Sequence, residues 1–184
     1  MYNGNVPSSP IRNSTAIKQI DDSTLLLTLP SFEQKYKAII DSLVKANEAL
    51  LRTISHLIID LRNNDGGYDM TYASLIPYIY SNPYVVYYPE VRVSPEAIAL
   101  YKESLGNPDI GEQMKAFFNH AIAILEEKKT GFVNLAGKCI DTIKMEQFYS
   151  YPERVSIITD RGTASSAENF VSMARQSKRV TVFG

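Results

Sequence analysis

Two short segments, far apart in the chain, carry residue types that suit acyl transfer. Residues 56–67 read His-Leu-Ile-Ile-Asp-Leu-Arg-Asn-Asn-Asp-Gly-Gly, and residues 157–168 read Ile-Ile-Thr-Asp-Arg-Gly-Thr-Ala-Ser-Ser-Ala-Glu. Each is an apolar run that ends in a turn of small residues and then meets a helical pattern. Strand, tight turn and helix N-terminus place backbone N–H groups at one edge of a sheet. The first turn carries the paired Gly66 and Gly67; the second carries Ser165 and Ser166. A glycine donor loop beside an exposed serine supplies a nucleophile and an oxyanion hole. Taken alone, the serine turn reads as an ordinary helix N-cap and the glycine pair as a plain turn after a strand.

The order of the two segments sharpens the reading. Residues 57–67 resemble the "IIDLRxNxGG" segment of the C-terminal-processing (tail-specific) and tricorn-core serine peptidases. Residues 163–168 are similar to that family's "TASxxE" nucleophile turn, and residues 180–184 to the "vvG" strand that follows it. The resemblance runs from about residue 24 to the end, with a variable middle. Two motifs in the right order are far more specific than either alone. In the family's pattern the catalytic serine follows Thr-Ala and precedes the Glu by three, which implies Ser165 as nucleophile, with Ser166 its competitor.

Helix N-terminus physics supports that choice. The dipole and free N–H groups there favour negative charge on an attacked carbonyl oxygen, so the N–H of Ser166 is one expected oxyanion donor. The resemblance puts the other on the glycine loop, at Gly66 or Gly67, where the missing Cβ permits close approach. Asp60 and Arg62 flank Leu61 at alternate positions and read as a loop-structuring pair, by salt bridge or by bonds to backbone. Glu168 falls in the first helical turn, where a carboxylate is favoured. These three are supporting residues, not acid or base.

The general base is the gap. Processing peptidases of this kind use a lysine roughly two dozen residues after the serine, a position beyond Gly184. Tricorn-type relatives use a histidine from an earlier segment. The chain has two histidines, His56 and His120, and both read as structural or surface residues. The expectation is a base outside these 184 residues. The apolar run that closes at Gly184 likewise suggests a chain that continues, with a strand edge open to self-association.

Composition bounds the rest. A chain of 184 residues can bury a sizeable core, and 45% hydrophobic residues is a globular value. Nineteen Lys plus Arg against 20 Asp plus Glu leave a net charge of −1, with no electrostatic case for nucleic acid. The single cysteine, Cys139, can neither close an intrachain disulfide nor anchor a metal cluster, and reads as buried or half-buried. No apolar run is long enough to span a membrane, and residues 1–10 do not read as a signal peptide. No metal or organic cofactor is implied, and the expected partner is a protein or peptide substrate. Relatives are often exported, so the resemblance suggests a periplasmic or extracellular home.

The elements that must position the two motifs follow from periodicity. Residues 1–22 read as a flexible lead-in or linker, and 23–184 as one α/β domain. Strands are expected over 24–29, 57–61, 155–159 and 180–183, with a strand or ribbon over 85–93. Helices are expected over 32–55, with Ser31 as N-cap, from Asp69 to about 81, from Pro95 to 105, over 110–129 and over 165–178. Tyrosines crowd between Tyr68 and Tyr101, which suggests an amphipathic surface, partly exposed. Strands alternating with helices imply parallel pairing. The resemblance implies a ClpP/crotonase-like ββα core, with about 85–151 as an inserted helical subdomain. Two rival functions share that fold. One is a catalytically silent module that binds peptide or apolar ligands. The other is a crotonase-like acyl-CoA enzyme, against which the Thr-Ala-Ser turn argues.

Overall fold

A computed structural model describes residues 14–108 and 110–184. The chain opens with β1 (Ala16–Asp21) and β2 (Thr24–Thr28), then a 3-10 turn, Gln34–Tyr36, leads into α1 (Lys37–Ala46) and α2 (Glu48–Leu51). After β3 (His56–Asp60), a 3-10 helix, Asp69–Leu75, runs into α3 (Ile76–Ile79). Next come β4 (Tyr84–Tyr87), β5 (Glu90–Arg92), α4 (Pro95–Leu105), α5 (Glu112–Lys128), β6 (Phe132–Asn134) and β7 (Ile140–Ile143). The last elements are β8 (Arg154–Ile158), α6 (Ser166–Ala174) and β9 (Val180–Phe183).

These elements fall into two units. The residues up to Tyr84 together with Lys144–Gly184 make one, and Val85–Ile143 make the other. The first is built on a five-stranded sheet in the order β1-β2-β3-β8-β9. The pairs β2–β3, β3–β8 and β8–β9 are parallel, and β1 joins β2 antiparallel. The register lines up apolar residues across the strands: Leu25, Leu57 and Val155 in one row, Leu27, Ile59 and Ile157 in the next. All six are buried. Burying each such side chain contributes about 1.5–3 kcal/mol, which is why the register cannot slip by one residue without turning that row outward.

Helices pack on that row. Ile40 and Val44, one turn apart on α1, are buried, and so are Ala167, Phe170 and Ala174 at helical spacing on α6. The two alanines let α6 lie close to the sheet. Phe170 meets Phe32 at 5.8 Å and Tyr72 at 5.0 Å, and Phe32 meets Tyr72 at 5.1 Å, all edge to face. This trio joins α6 to the segments on either side of the glycine loop. In the second unit α4 and α5 pack together over Ala121, Leu125, Val133 and Leu135. Pro95 opens α4, and the Ser94 hydroxyl accepts the Ala97 N–H at 3.2 Å.

The structure corrects several local expectations. Residues 16–21, inside the expected lead-in, form β1, because Ile17 packs on the core while the rest of the strand faces water; residues 1–13 lie outside the described residues. The helix expected over 32–55 begins only at Lys37 and breaks at Asn47, whose side chain turns back to donate to Leu43 O. Ser31 is buried and accepts the Glu33 N–H instead of capping a helix. The single ribbon over 85–93 is two short strands with different partners. Tyr72, Tyr78 and Tyr80 are buried, whereas Tyr87 faces water. Cys139 is exposed.

Phe170→Ala removes the residue shared by two of the ring contacts. It is expected to destabilise the first unit by about 3–5 kcal/mol, read by urea unfolding. A loss below about 1 kcal/mol would mean that the trio does not hold α6 in place.

Candidate active site

Parallel pairing of neighbouring strands decides where the two motifs meet. The last register pair of β3 and β8 is Asp60 with Ile158, and the Leu61 N–H extends the ladder to Ile158 O at 2.8 Å. Both chains therefore leave the sheet at the same edge, one into residues 61–68 and the other into 159–165.

Side chains then latch the two turns together. Asp160 Oδ1 accepts the N–H of Asn63 at 2.9 Å and of Gly162 at 3.0 Å. Thr163 Oγ1 donates to Leu61 O at 3.0 Å and accepts the Asp160 N–H at 3.1 Å. The Asp60 carboxylate is buried and takes the Arg62 Nε at 2.8 Å, its Nη2, and its backbone N–H at 3.1 Å. Donating to the Asp60 carboxylate holds the pKa of the Arg62 guanidinium above its ordinary range. The sequence analysis gives Asp160 and Thr163 no role of their own. Asp160 carries an ordinary turn signal, a short acceptor two residues before the Gly162 N–H it takes, whereas Thr163 takes an N–H three residues earlier.

The glycine loop lies directly against the serine turn. Gly66 has φ +99°, and a Cβ there would stand 2.7 Å from Ser165 Cβ and from Ala164 O, and 2.8 Å from Ser166 N. Gly67, at φ +141°, lies so close to Phe32 that a Cβ would sit 2.3 Å from Phe32 C. The strand-like bridge between them explains why: the Phe32 N–H donates to Gly66 O and the Tyr68 N–H to Phe32 O, each at 2.9 Å. Only a residue without Cβ fits either place.

Ser165 stands apart from an ordinary cap. An N-cap residue has β-region backbone, but Ser165 has φ 54° and ψ −123°. A side chain held there is strained, by about 1–3 kcal/mol, and such strain collects at active sites. A sharp strand-to-helix turn of this kind presents a serine oxygen outward. Ser165 is exposed, whereas Ser166, the first residue of α6, is only 4% exposed. Glu168 accepts the Ser165 N–H at 2.8 Å, which braces the turn from within the helix. Asp69 accepts from Asn169 Nδ2 at 3.2 Å and so ties the segment after the glycines to α6.

The two glycines offered as the loop donor differ. The Gly66 N–H is bonded to Asn64 Oδ1 at 2.9 Å. Among the described residues the Gly67 N–H has no partner within the protein. Ser166, at the first position of α6, has an N–H with no partner one turn back in the helix. Of the histidines, His56 begins β3, at the end of the strand opposite the turns, and bonds Ser156 Oγ at 2.8 Å. His120 lies on α5 in the second unit. No group of three or more His, Cys, Asp or Glu could hold a metal ion among the described residues, and no helix among them is long and apolar enough to cross a membrane.

The model of peptidase family S41 matches residues 23–184. This chain belongs to peptidase family S41. Solved structures agree on the fold. A candidate peptidase from Parabacteroides merdae superposes with TM-score 0.54 at 15% identity, over 90% of this chain and 41% of that one. Mature CPAF superposes with TM-score 0.53 at 12% identity, over 86% of this chain and 36% of that one. The photosystem II D1 C-terminal processing protease gives 0.46 at 15% identity, over 86% and 29%. The chain thus spans well under half the length of these structures. No curated protein sequence matches it.

Two outcomes follow from the geometry. Gly66→Ala adds both φ strain and a collision with the serine turn, and should cost at least about 1–3 kcal/mol in urea unfolding; an unchanged midpoint would mean that the turns part freely. His56 has its pKa lowered, first by burial and then by Arg154. The unfolded chain therefore binds the proton more readily, and stability falls as pH drops from about 6.5 through the lowered folded value. His56→Gln should flatten the slope of unfolding free energy between about pH 5 and 7, whereas an unaltered slope would assign that proton elsewhere.

Proposed function

We propose that this chain is the serine-peptidase domain of an S41 enzyme, in which Ser165 attacks peptide carbonyls and forms an acyl-enzyme. The observation that carries the reading is the backbone of Ser165, strained, exposed and seated between the N-terminus of α6 and the glycine loop. Strain at an exposed serine has no structural purpose that an ordinary cap would not meet at lower cost.

In this reading Ser165 Oγ gives its proton to a base and bonds the carbonyl carbon. The oxygen that becomes negative is held by the N–H groups of Ser166 and Gly67, near the positive end of α6. Collapse breaks the C–N bond, the leaving amine takes a proton, and water later splits the ester. His56 is at the wrong end of β3 to be the base. Asp60, Arg62 and Glu168 shape the turns and do not exchange protons with substrate. The core is of the ClpP/crotonase-like kind, with Val85–Ile143 as the inserted subdomain, a reading supported by the parallel sheet and by the separate apolar cluster in that unit. The substrates are proteins or peptides, as the family implies. Strand β9 has β8 on one side, and its outer edge is a surface for pairing with another chain.

A fluorophosphonate probe applied to the natively expressed protein tests the assignment. Labelling should map to Ser165, vanish in Ser165→Ala and persist in Ser166→Ala. Labelling lost only in Ser166→Ala would move the nucleophile by one residue. A folded protein that takes no label would instead be a silent peptide-binding module on the same fold.

A further inference from the structure

Asn64 is a polar side chain that is fully buried, at 0% exposure. Its Nδ2 donates to Leu29 O at 2.9 Å, and its Oδ1 accepts the Gly66 N–H at 2.9 Å. One partner is a carbonyl and the other an N–H, so the amide has a single orientation that satisfies both. Its backbone is spent as well. The Asn64 N–H donates to Leu61 O at 3.0 Å, and its carbonyl accepts the N–H of Ala164, the residue before Ser165, at 2.9 Å.

We propose that Asn64 is the positioning residue of the oxyanion hole, a proposal that rests on Ser165 being the nucleophile. Gly66 can adopt many backbone conformations, and its N–H is pinned from one side by Asn64 while its carbonyl is pinned from the other by the Phe32 N–H. A peptide unit is planar and trans. With Gly66 O turned toward Phe32, the Gly67 N–H in the same plane must point the opposite way, out of the Phe32 bridge. Asn64 holds the peptide unit before Gly66 and Phe32 the one after it, so the two together set the direction of an N–H that Asn64 does not touch. The same residue sets the other side of the hole through Ala164, which leads into Ser165 and the Ser166 N–H. Both donors are referred to one residue, the glycine side through its buried side chain and the serine side through its backbone carbonyl, and the side chain is anchored on Leu29, whose own N–H is bonded to Asp60 O at 3.0 Å. The chain is short: the end of β2, Asn64, then each donor.

Positioning of this kind has a kinetic signature. The oxyanion exists only in the transition state, so a misdirected donor lowers kcat and leaves ground-state binding alone. The test uses the natively expressed protein in separate samples, one treated with fluorophosphonate to check labelling at Ser165 and one, unlabelled, assayed on a fluorogenic peptide. Asn64→Ala should lower kcat about a hundredfold with KM within about threefold. Its affinity for a peptide boronate, which forms a tetrahedral adduct on the serine, should fall by the same factor as kcat/KM. A variant that melts above the assay temperature with wild-type kcat, or whose KM rises while kcat holds, overturns the proposal. Asn64→Asp keeps the volume and the acceptor but loses the donor to Leu29; it carries the test if the alanine variant does not fold, and wild-type kcat in it is equally fatal. If the unaltered protein takes no label, the nucleophile reading fails and this one with it. Label in the unaltered protein together with wild-type kinetics in both variants removes this proposal alone.

Discussion

Everything at the site depends on β3 and β8 lying side by side and pointing the same way. A parallel neighbour brings two carboxyl ends to one edge, whatever the sequence distance between them. Had the pair been antiparallel, the glycine loop and the serine turn would stand at opposite ends of the sheet. The pairing is enforced by apolar rows and not by the turns themselves. Leu57 and Ile59 are buried between Leu25 and Leu27 on one side and Val155 and Ile157 on the other. The turns inherit their meeting place from that core.

On this platform the turns can afford a strained residue. Ser165 at positive φ is held by the Glu168 carboxylate on its N–H, by Asp160 and Thr163 across to the first motif, and by α6 seated through Phe170. None of these contacts is large alone. Together they leave the turn no cheaper conformation, and the core rows absorb the cost. The glycines work in the opposite sense: they lower the steric cost of bringing one backbone against another, at Ser165 for Gly66 and at Phe32 for Gly67.

Much of this was legible from residues alone, and the reasons are particular. The β3 and β8 runs carry buried apolar residues with turn residues after them, and β9 is a short β-branched run, so all three declare themselves by pattern. Gly66-Gly67 and Thr163 to Glu168 carry motif-level information because chemistry restricts each position. The antiparallel β1 was invisible, since Lys18, Gln19 and Asp21 give it a polar composition and its identity comes from pairing with β2. The long helix expected after Pro30 failed because periodicity cannot detect a 3-10 start or a side chain such as Asn47 that turns back on its own helix. The residues alone leave Gly66 and Gly67 equivalent, because a residue type does not reveal that a neighbour two positions earlier bonds the Gly66 N–H.

The link between Asn63 and Asp160 joins residues 97 positions apart, and this separation has a consequence in time. The β1–β2 hairpin is local and can close early, whereas β3 must wait for β8 to be made and to find it. Contacts of such range form late, because the entropy of closing the intervening chain is lost before they return anything. The glycine loop and the serine therefore come together near the end of folding. A half-synthesised chain carries the glycine loop without the serine turn, and a half-folded one carries both without the contact that joins them, so the strained serine backbone is braced only once the sheet is complete.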